Sequence, residues 1–323
     1  MRAVVVSRFG GPEVLELTER DVPVPGPGEL LVEVGAAGVN YLDVYMRSGR
    51  DPQRLPFVAG MEGAGTVAAT GPGVLGVDVG DRVGWAMSAG SYAELALVPA
   101  AAAVPLPAVV PDELAAAALL QGMTAHYLAR DSHRVRPGDT VLVHAAAGGT
   151  GLVLTQVVRQ LGGHVIGTVS TDEKARLALD AGAGEVIRYD QVDVVEAVRR
   201  LTNGIGVDVV YDGVGAGTFD ASLASLRRRG TLVLFGAASG PVPPFDPMRL
   251  KDAGSVFLTR PTLAHHIASR EELLERSAAV LDWAASGAVR FKVGRHYQLD
   301  EVVAAHEDLE SRRTVGKLLL LPR

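Results

Sequence analysis

Residues Thr140 to Gly162 read TVLVHAAAGGTGLVLTQVVRQLG, and this stretch decides the fold. An apolar run, Val141 to Val143, meets a turn of small residues, and the turn opens into a segment where Leu152, Val153, Val157 and Leu161 recur at helical spacing. The pattern predicts a strand, a tight turn and a helix that begins near Gly149. A dinucleotide fingerprint places Gly-x-Gly-x-x-Gly at such a junction. The first glycine permits the tight turn, the second lets backbone approach a pyrophosphate, and the third lets helix and strand pack closely. Here the first position is alanine, giving Ala146-x-Gly148-x-x-Gly151. Only the first role is challenged, since Gly148, Gly149 and Gly151 still leave backbone amides open to phosphate at a helix N-terminus. A lone glycine motif also fits an ordinary strand-to-helix turn, so its surroundings carry the decision.

Those surroundings alternate. Strand candidates at 140–146, 164–169, 185–189, 207–212, 230–236 and 254–259 are separated by helix candidates near 150–161, 172–181, 192–202 and 217–227, and by a Pro-rich connection at 241–250. Six strands joined by crossovers predict an α/β doubly wound parallel sheet. Residues 1 to about 110 differ. They hold short β-type runs (AVVVS, ELLVEVGAAGV, AGTVAAT, DRVGWAM, YAELALV) parted by PVPGPG, GPG and SAGS turns, the pattern of a turn-rich β-domain. From Pro111, PDELAAAALLQGMTAHYLAR predicts a helix that bridges the two domains. The tail contains a helix, EELLERSAAVLDWAASG, and two short runs, FKVGRHYQL and GKLLLLP, which have no sheet of their own and are assigned back to the amino-terminal domain. The expected division is 1–122 with 261–323 for the β-rich domain and 123–260 for the nucleotide-binding one.

Composition narrows the function. The chain has 323 residues, 48% of them hydrophobic, enough for two sizeable cores. It has no cysteine, so disulfides, a thiol nucleophile and cysteine-based zinc sites are excluded. A net charge of −6 provides no positive field to gather nucleic acid or anionic membrane. No run of about eighteen apolar residues occurs and the amino end lacks a leader pattern, so a cytoplasmic protein with a small-molecule partner is expected.

The end of the second strand bears on which nucleotide is held. A site for the unphosphorylated cofactor places Asp or Glu there to grip the ribose 2′-hydroxyl. Here HVIGTV runs into Ser170 and Thr171, and Asp172 and Glu173 fall in the first turn of the next helix, where they stabilise its dipole. Lys174, with Tyr189 and Arg188 from the next strand end, could surround a 2′-phosphate. The plain alternative is a solvated lysine and a packing tyrosine. The only basic run, Arg227 to Arg229, is expected to close a helix just before Gly230.

The segments GGPEVLEL, GAAGVNYLDVYMRSG, LPFVAGMEGAGTVAATGPGV, LLQGMTAHYLA, HAAAGGTGLVLTQVVRQLG, GTVSTDEKARLALDAGA, VIRYD and VDVVYDGVG together resemble the quinone oxidoreductase, or ζ-crystallin-like, branch of the medium-chain dehydrogenase/reductase superfamily, over essentially the whole chain. The resemblance implies a GroES-like catalytic domain, a Rossmann domain, NADPH as hydride donor and a homodimer. It implies cofactor contacts at Ala147, Gly148, Gly149, Thr150, Gly151, Ser170, Lys174, Tyr189, Val214, Phe235, Gly236 and Lys317. Zinc-dependent relatives need a Cys, a Gly-His-Glu segment and a further Cys around the zinc. The matching positions here look like Asn40, Met61 and the QGMT segment, so no metal is expected, and the eight histidines show no replacement set.

Without metal, the charge that develops on a carbonyl oxygen as hydride arrives needs hydrogen-bond donors. Asn40, Tyr45 and Thr124 in the cleft-lining motifs are the candidates. Each has a structural alternative: Asn40 capping a turn, Tyr45 in a core, Thr124 on a helix carbonyl. Glu62 lies in a Gly-rich loop and needs partners if buried, and its role stays open. Where relatives carry a tyrosine after RSG, this chain has Arg50 and Asp51. The reading is a zinc-free NADPH-dependent reductase of quinones or similar conjugated carbonyls. Its alternatives are an enone or enoyl (2-alkenal) reductase, and a nucleotide-binding protein with a structural or RNA-binding role.

Overall fold

A computed structural model describes residues 1–322. The chain divides into two compact units, one made of residues 1–123 together with the chain from Ile267 onward, the other of residues 124–266.

The first unit opens with β1 (Arg2–Val6), β2 (Leu15–Glu19) and β3 (Glu29–Val39), which runs into α1 (Tyr41–Arg47). β4 (Phe57–Val58), β5 (Glu62–Thr70), β6 (Arg82–Ala86), β7 (Leu95–Pro99) and β8 (Val104–Pro105) follow, and then α2 (Asp112–Tyr127), within which the division falls. The second unit alternates: β9 (Thr140–Val143), α3 (Gly149–Gln160), β10 (His164–Val169), α4 (Asp172–Asp180), β11 (Glu185–Arg188), α5 (Val194–Leu201), β12 (Val207–Asp212), α6 (Phe219–Ser225), β13 (Leu226–Leu234), α7 (Met248–Asp252), β14 (Phe257–Thr259) and α8 (Leu263–His266). The chain returns to the first unit with α9 (Arg270–Ser286), β15 (Val293–Gln298), α10 (Val302–Glu310) and β16 (Lys317–Leu321).

In the first unit a seven-stranded sheet of order β15-β16-β3-β5-β6-β8 takes β7 as a third partner of β3. Its core is built from alternating strand positions, among them Val32, Val34, Val67, Trp85 and Leu320, all buried. The tail strand β16 pairs antiparallel with β3, Leu318 opposite Val39, so the tail shares a sheet with an early strand, while β1, β2 and β4 form a separate sheet of order β2-β1-β4.

The second unit is a six-stranded sheet of order β11-β10-β9-β12-β13-β14, with every pairing parallel. The chain moves outward from β9 to β11, then returns to the other side of β9 for β12. That reversal is a topological switch point, and ligands of such sheets bind beyond the carboxyl ends of the strands there. The strands are near-continuous apolar runs because helices cover both faces; Leu142, Ile166, Val210 and Leu232 form the centre of the core.

Several details differ from the sequence expectation: β13 begins at Leu226 and not 230, β14 at Phe257 and not 254, and Glu62 starts strand β5 instead of lying in a loop. β9 ends at Val143 rather than 146, because Ala145 takes a left-handed conformation, φ 51°, and turns the chain early. Arg227 to Arg229 do not close a helix: α6 stops at Ser225 and the arginines lie in β13, where Arg227 Nε donates to Asp208 at 2.6 Å. The Pro-rich connection contains the short helix α7. No helix of the described residues is long and apolar enough to cross a membrane.

Candidate active site

The turn after β9 shows how alanine serves at the first fingerprint position. Ala146 is fully buried, and its methyl occupies space that Gly167 on β10 leaves empty: a Cβ on Gly167 would lie 2.8 Å from that of Ala146. The missing methyl has moved to the neighbouring strand. Gly151 has the packing role expected of the third glycine, since a Cβ there would stand 2.3 Å from the Ala145 carbonyl oxygen. Gly148 is the N-cap of α3 and supplies no side-chain acceptor, whereas Thr171 and Asp193 cap α4 and α5. The first-turn amides of α3, through Thr150 and Gly151, therefore receive no side-chain cap at the switch point, which suits a ligand anion. Ala147 is buried beneath them.

Two neighbouring loops continue this rim. Asp212, fully buried at the end of β12, accepts from the amides of Val214 at 2.8 Å and Gly215 at 3.0 Å, and its backbone oxygen accepts from the amide of Phe235 at 2.9 Å. Gly236 is needed because a Cβ would lie 2.5 Å from the Gly213 carbonyl. Behind the loops His144 links β9, β10 and α6. Its Nδ1 is 3.0 Å from Thr168 Oγ1 and its Nε2 3.0 Å from Ser222 Oγ. Ser222 Oγ donates to Asp212 at 2.7 Å, so Nε2 carries the proton donated to Ser222 and Nδ1 accepts from Thr168. Burial holds the imidazole pKa below its ordinary value and keeps the ring neutral, against the pull of Asp212. Neither His144 nor Asp212 was singled out in the sequence; a lone histidine at a strand end gives no pattern.

At the end of the second strand, Ser170 and Lys174 flank Thr171, whose hydroxyl accepts the Lys174 amide at 3.2 Å. Burial lowers the Lys174 ammonium pKa, and nearby Glu173 opposes that shift. The Tyr189 amide bonds to Val169 O at 3.2 Å, which sets Tyr189 beside the same turn with 46% of its surface exposed. Arg188 is otherwise engaged, paired with Asp172 and with Asp190.

The first unit gathers its polar residues where three strands start or end. The register Leu318 opposite Val39 and Ala37 opposite Gly63 brings Lys317, Asn40 and Glu62 together. All three are buried, Lys317 and Glu62 to 1% and 0% exposure. Lys317 Nζ donates to Glu62 Oε2 at 2.5 Å and to Asn40 Oδ1 at 2.7 Å, leaving one ammonium hydrogen. Asn40 Nδ2 donates to Glu62 Oε2 at 3.0 Å and to Gly38 O at 3.1 Å, and Glu62 Oε1 accepts the Leu120 amide at 2.6 Å. Glu62 thus finds the partners its burial demands. Gly38 makes room, since a Cβ there would lie 2.4 Å from Glu62 Oε2 and 2.6 Å from Lys317 Cε. Asn40 also starts α1, its amide donating to Asp43 Oδ2 at 2.8 Å. Asp43 accepts from Tyr92 Oη at 2.9 Å, and burial pushes its carboxyl up to about 7. Tyr45 sits on α1, half-buried, with the Arg50 guanidinium 6.0 Å from its ring centre, so the charged residue after RSG covers that ring. Thr124, in the other unit, is 8% exposed on α2.

Residues 26–108 match the model of the alcohol dehydrogenase GroES-like domain, and residues 149–286 that of the zinc-binding dehydrogenases. The solved structure of a mycobacterial protein complexed with NADPH is 52% identical, with TM-score 0.96 and 100% of both chains covered. That of Escherichia coli quinone oxidoreductase complexed with NADPH is 42% identical, with TM-score 0.97 and again 100% of both. The chain belongs to the quinone oxidoreductase branch of the medium-chain dehydrogenase/reductase superfamily. Its two units are accordingly the GroES-like and Rossmann folds of that superfamily. A 2-haloacrylate reductase from a Burkholderia species is also a relative, 41% identical with 99% of both chains covered. Among the described residues no group of three His, Cys, Asp or Glu is arranged to hold a metal ion.

Proposed function

We propose that the chain is an NADPH-dependent, metal-free reductase that passes hydride to a quinone or similar conjugated carbonyl. The observation that carries the cofactor is at the second strand. Asp172, the first of the two acids that follow the second strand, is tied to Arg188, while the half-buried Lys174 stands beside Ser170. A pocket with one cation and two hydroxyls prefers a 2′-phosphate to a bare hydroxyl. The uncapped start of α3, with Ala147 to Gly151, holds the pyrophosphate, and Val214, Phe235 and Gly236 line the adjoining rim. NADPH, when bound, supplies the hydride.

The protein's part is charge stabilisation and orientation. Asn40 and Tyr45 of the GroES-like unit donate to the substrate oxygen as negative charge grows on it. Both amide hydrogens of Asn40 are used internally, and the bond to the neutral Gly38 carbonyl is the one exchanged for an oxyanion. Lys317 and Glu62 fix the amide so that its N–H side cannot flip, and the third Lys317 hydrogen remains for a ligand.

The similarity to 2-haloacrylate reductase favours a second reading, reduction of a conjugated carbon–carbon double bond by the same hydride. A cytoplasmic homodimer fits both. β14 is the outer strand of its sheet and exposes Phe257 at 62%.

Dissociation constants for NADPH and NADH test the cofactor assignment. NADPH should bind the parent more tightly. Loss of a charge-assisted contact worth about 1.5–3 kcal/mol should weaken NADPH roughly 10- to 150-fold in Lys174→Ala and leave NADH nearly unchanged. A parent preferring NADH, or a variant losing both equally, overturns it. Turnover with a quinone panel beside 2-alkenals and haloacrylates separates the two substrate readings.

A further inference from the structure

Arginine is the side chain best shaped to grip a phosphate, and one stands unused for that purpose at the end of the second strand. β10 and β11 pair with Val169 opposite Arg188, so Arg188 leaves the sheet next to Ser170, Thr171 and Lys174. Its guanidinium is spent on carboxylates. Nε and Nη2 donate to the two oxygens of Asp190 at 2.9 and 2.8 Å, a bidentate pair, and Nη1 donates to Asp172. The arginine side chain is 18% exposed, against 40% for Asp190 and 81% for Asp172. Two carboxylates on one guanidinium leave a net charge of −1 beside the lysine.

We infer that Asp172 and Asp190 are specificity-determining residues, which limit the preference for NADPH over NADH by holding Arg188 away from the 2′-phosphate. The inference rests on the assignment of that phosphate to the Ser170, Lys174 and Tyr189 turn. Exposed carboxylates hold their partners weakly because water screens them, so the restraint persists only while both are charged. Neutralised, they release a second cation for the phosphate, within reach of the same strand end. A cofactor without the phosphate has nothing for the freed guanidinium to hold.

The test is a cycle of cofactor dissociation constants on the full chain. The variant Asp172→Asn with Asp190→Asn should bind NADPH about 10-fold more tightly than the parent and NADH within about 2-fold of it. The same two changes made on Arg188→Gln should give less than about a 3-fold gain, since the group they release is gone. An equal gain without the arginine would show direct repulsion of the phosphate by the carboxylates, and would overturn the inference. So would no gain at all. Asp190→Asn alone repeats the test with the bidentate partner only, and should show part of the gain. Failure of the cofactor assignment reads differently: Lys174→Ala would then leave NADPH binding intact whatever the aspartate variants do.

Discussion

Glu62 and Lys317 are both sealed from water, and each is tolerable only because the other is there. Removing one charge of a buried pair leaves the other without compensation, at a cost of about 3–5 kcal/mol, whereas replacing both by neutral groups is far less costly. Lys317→Met should therefore destabilise the GroES-like unit by about 3–5 kcal/mol, and Lys317→Met with Glu62→Gln should recover most of it. Both tryptophans, Trp85 and Trp283, belong to that unit, so their fluorescence during denaturant unfolding reports it alone. A double variant as unstable as the single one would contradict the pairing. A second residue-scale test concerns acid. His306 is buried with its pKa held down near 3, and Asp43 is pushed up to about 7. As pH falls from 6.5 to 4.5 the unfolded chain protonates His306 and the fold does not, so stability falls. Over the same window the folded Asp43 holds a proton that the unfolded one gives up, so acid stabilises the fold. Each contributes with a slope of up to about 1.4 kcal/mol per pH unit and the two oppose. Asp43→Asn should make unit stability fall more steeply on acidification than in the parent, and His306→Gln should make it fall less. Parallel pH profiles for the two variants would refute this.

At the scale of elements, the exchange between Ala146 and Gly167 is the sharpest constraint. Gly167→Ala forces two methyl carbons to 2.8 Å and should cost about 1–3 kcal/mol of Rossmann-unit stability, with weaker NADPH binding because the phosphate turn shifts. Ala146→Gly in the same chain removes the collision and should restore both; calorimetry and cofactor titration read the outcome, and an unrescued pair would show that the turn is held by something else. The turn itself was legible, since glycine and apolar periodicity are local properties. Its compensation was not, because residues 146 and 167 are neighbours only through the parallel pairing of β9 and β10. The same limit explains Arg227 to Arg229. A basic run before glycine reads as a helix end, but Arg227 has a strand partner in Asp208, which no window of the local sequence contains. Glu62 announced that it needed partners; only the β3, β5 and β16 registers name Lys317 and Asn40.

At the scale of the whole molecule, the six alternating units made the doubly wound sheet readable, and the tail's lack of partners pointed it back to the first domain. The free edge of that sheet has a consequence for assembly. If two copies join along β14, Phe257→Arg should yield a monomer in light scattering while NADPH binding, beyond the carboxyl ends of the strands, is retained, since Phe257 starts its strand; an unchanged dimer would move the interface elsewhere. The return of the tail also bears on the order in which the two units can complete their folding. The Rossmann unit is one continuous stretch and has all its strands in hand once residue 266 is synthesised. The GroES-like unit does not: β3, near the start of the chain, waits for β16 at its end, and Glu62 waits for Lys317. During synthesis the amino-terminal strands therefore emerge first but cannot complete their sheet until residues 317–321 have emerged as well.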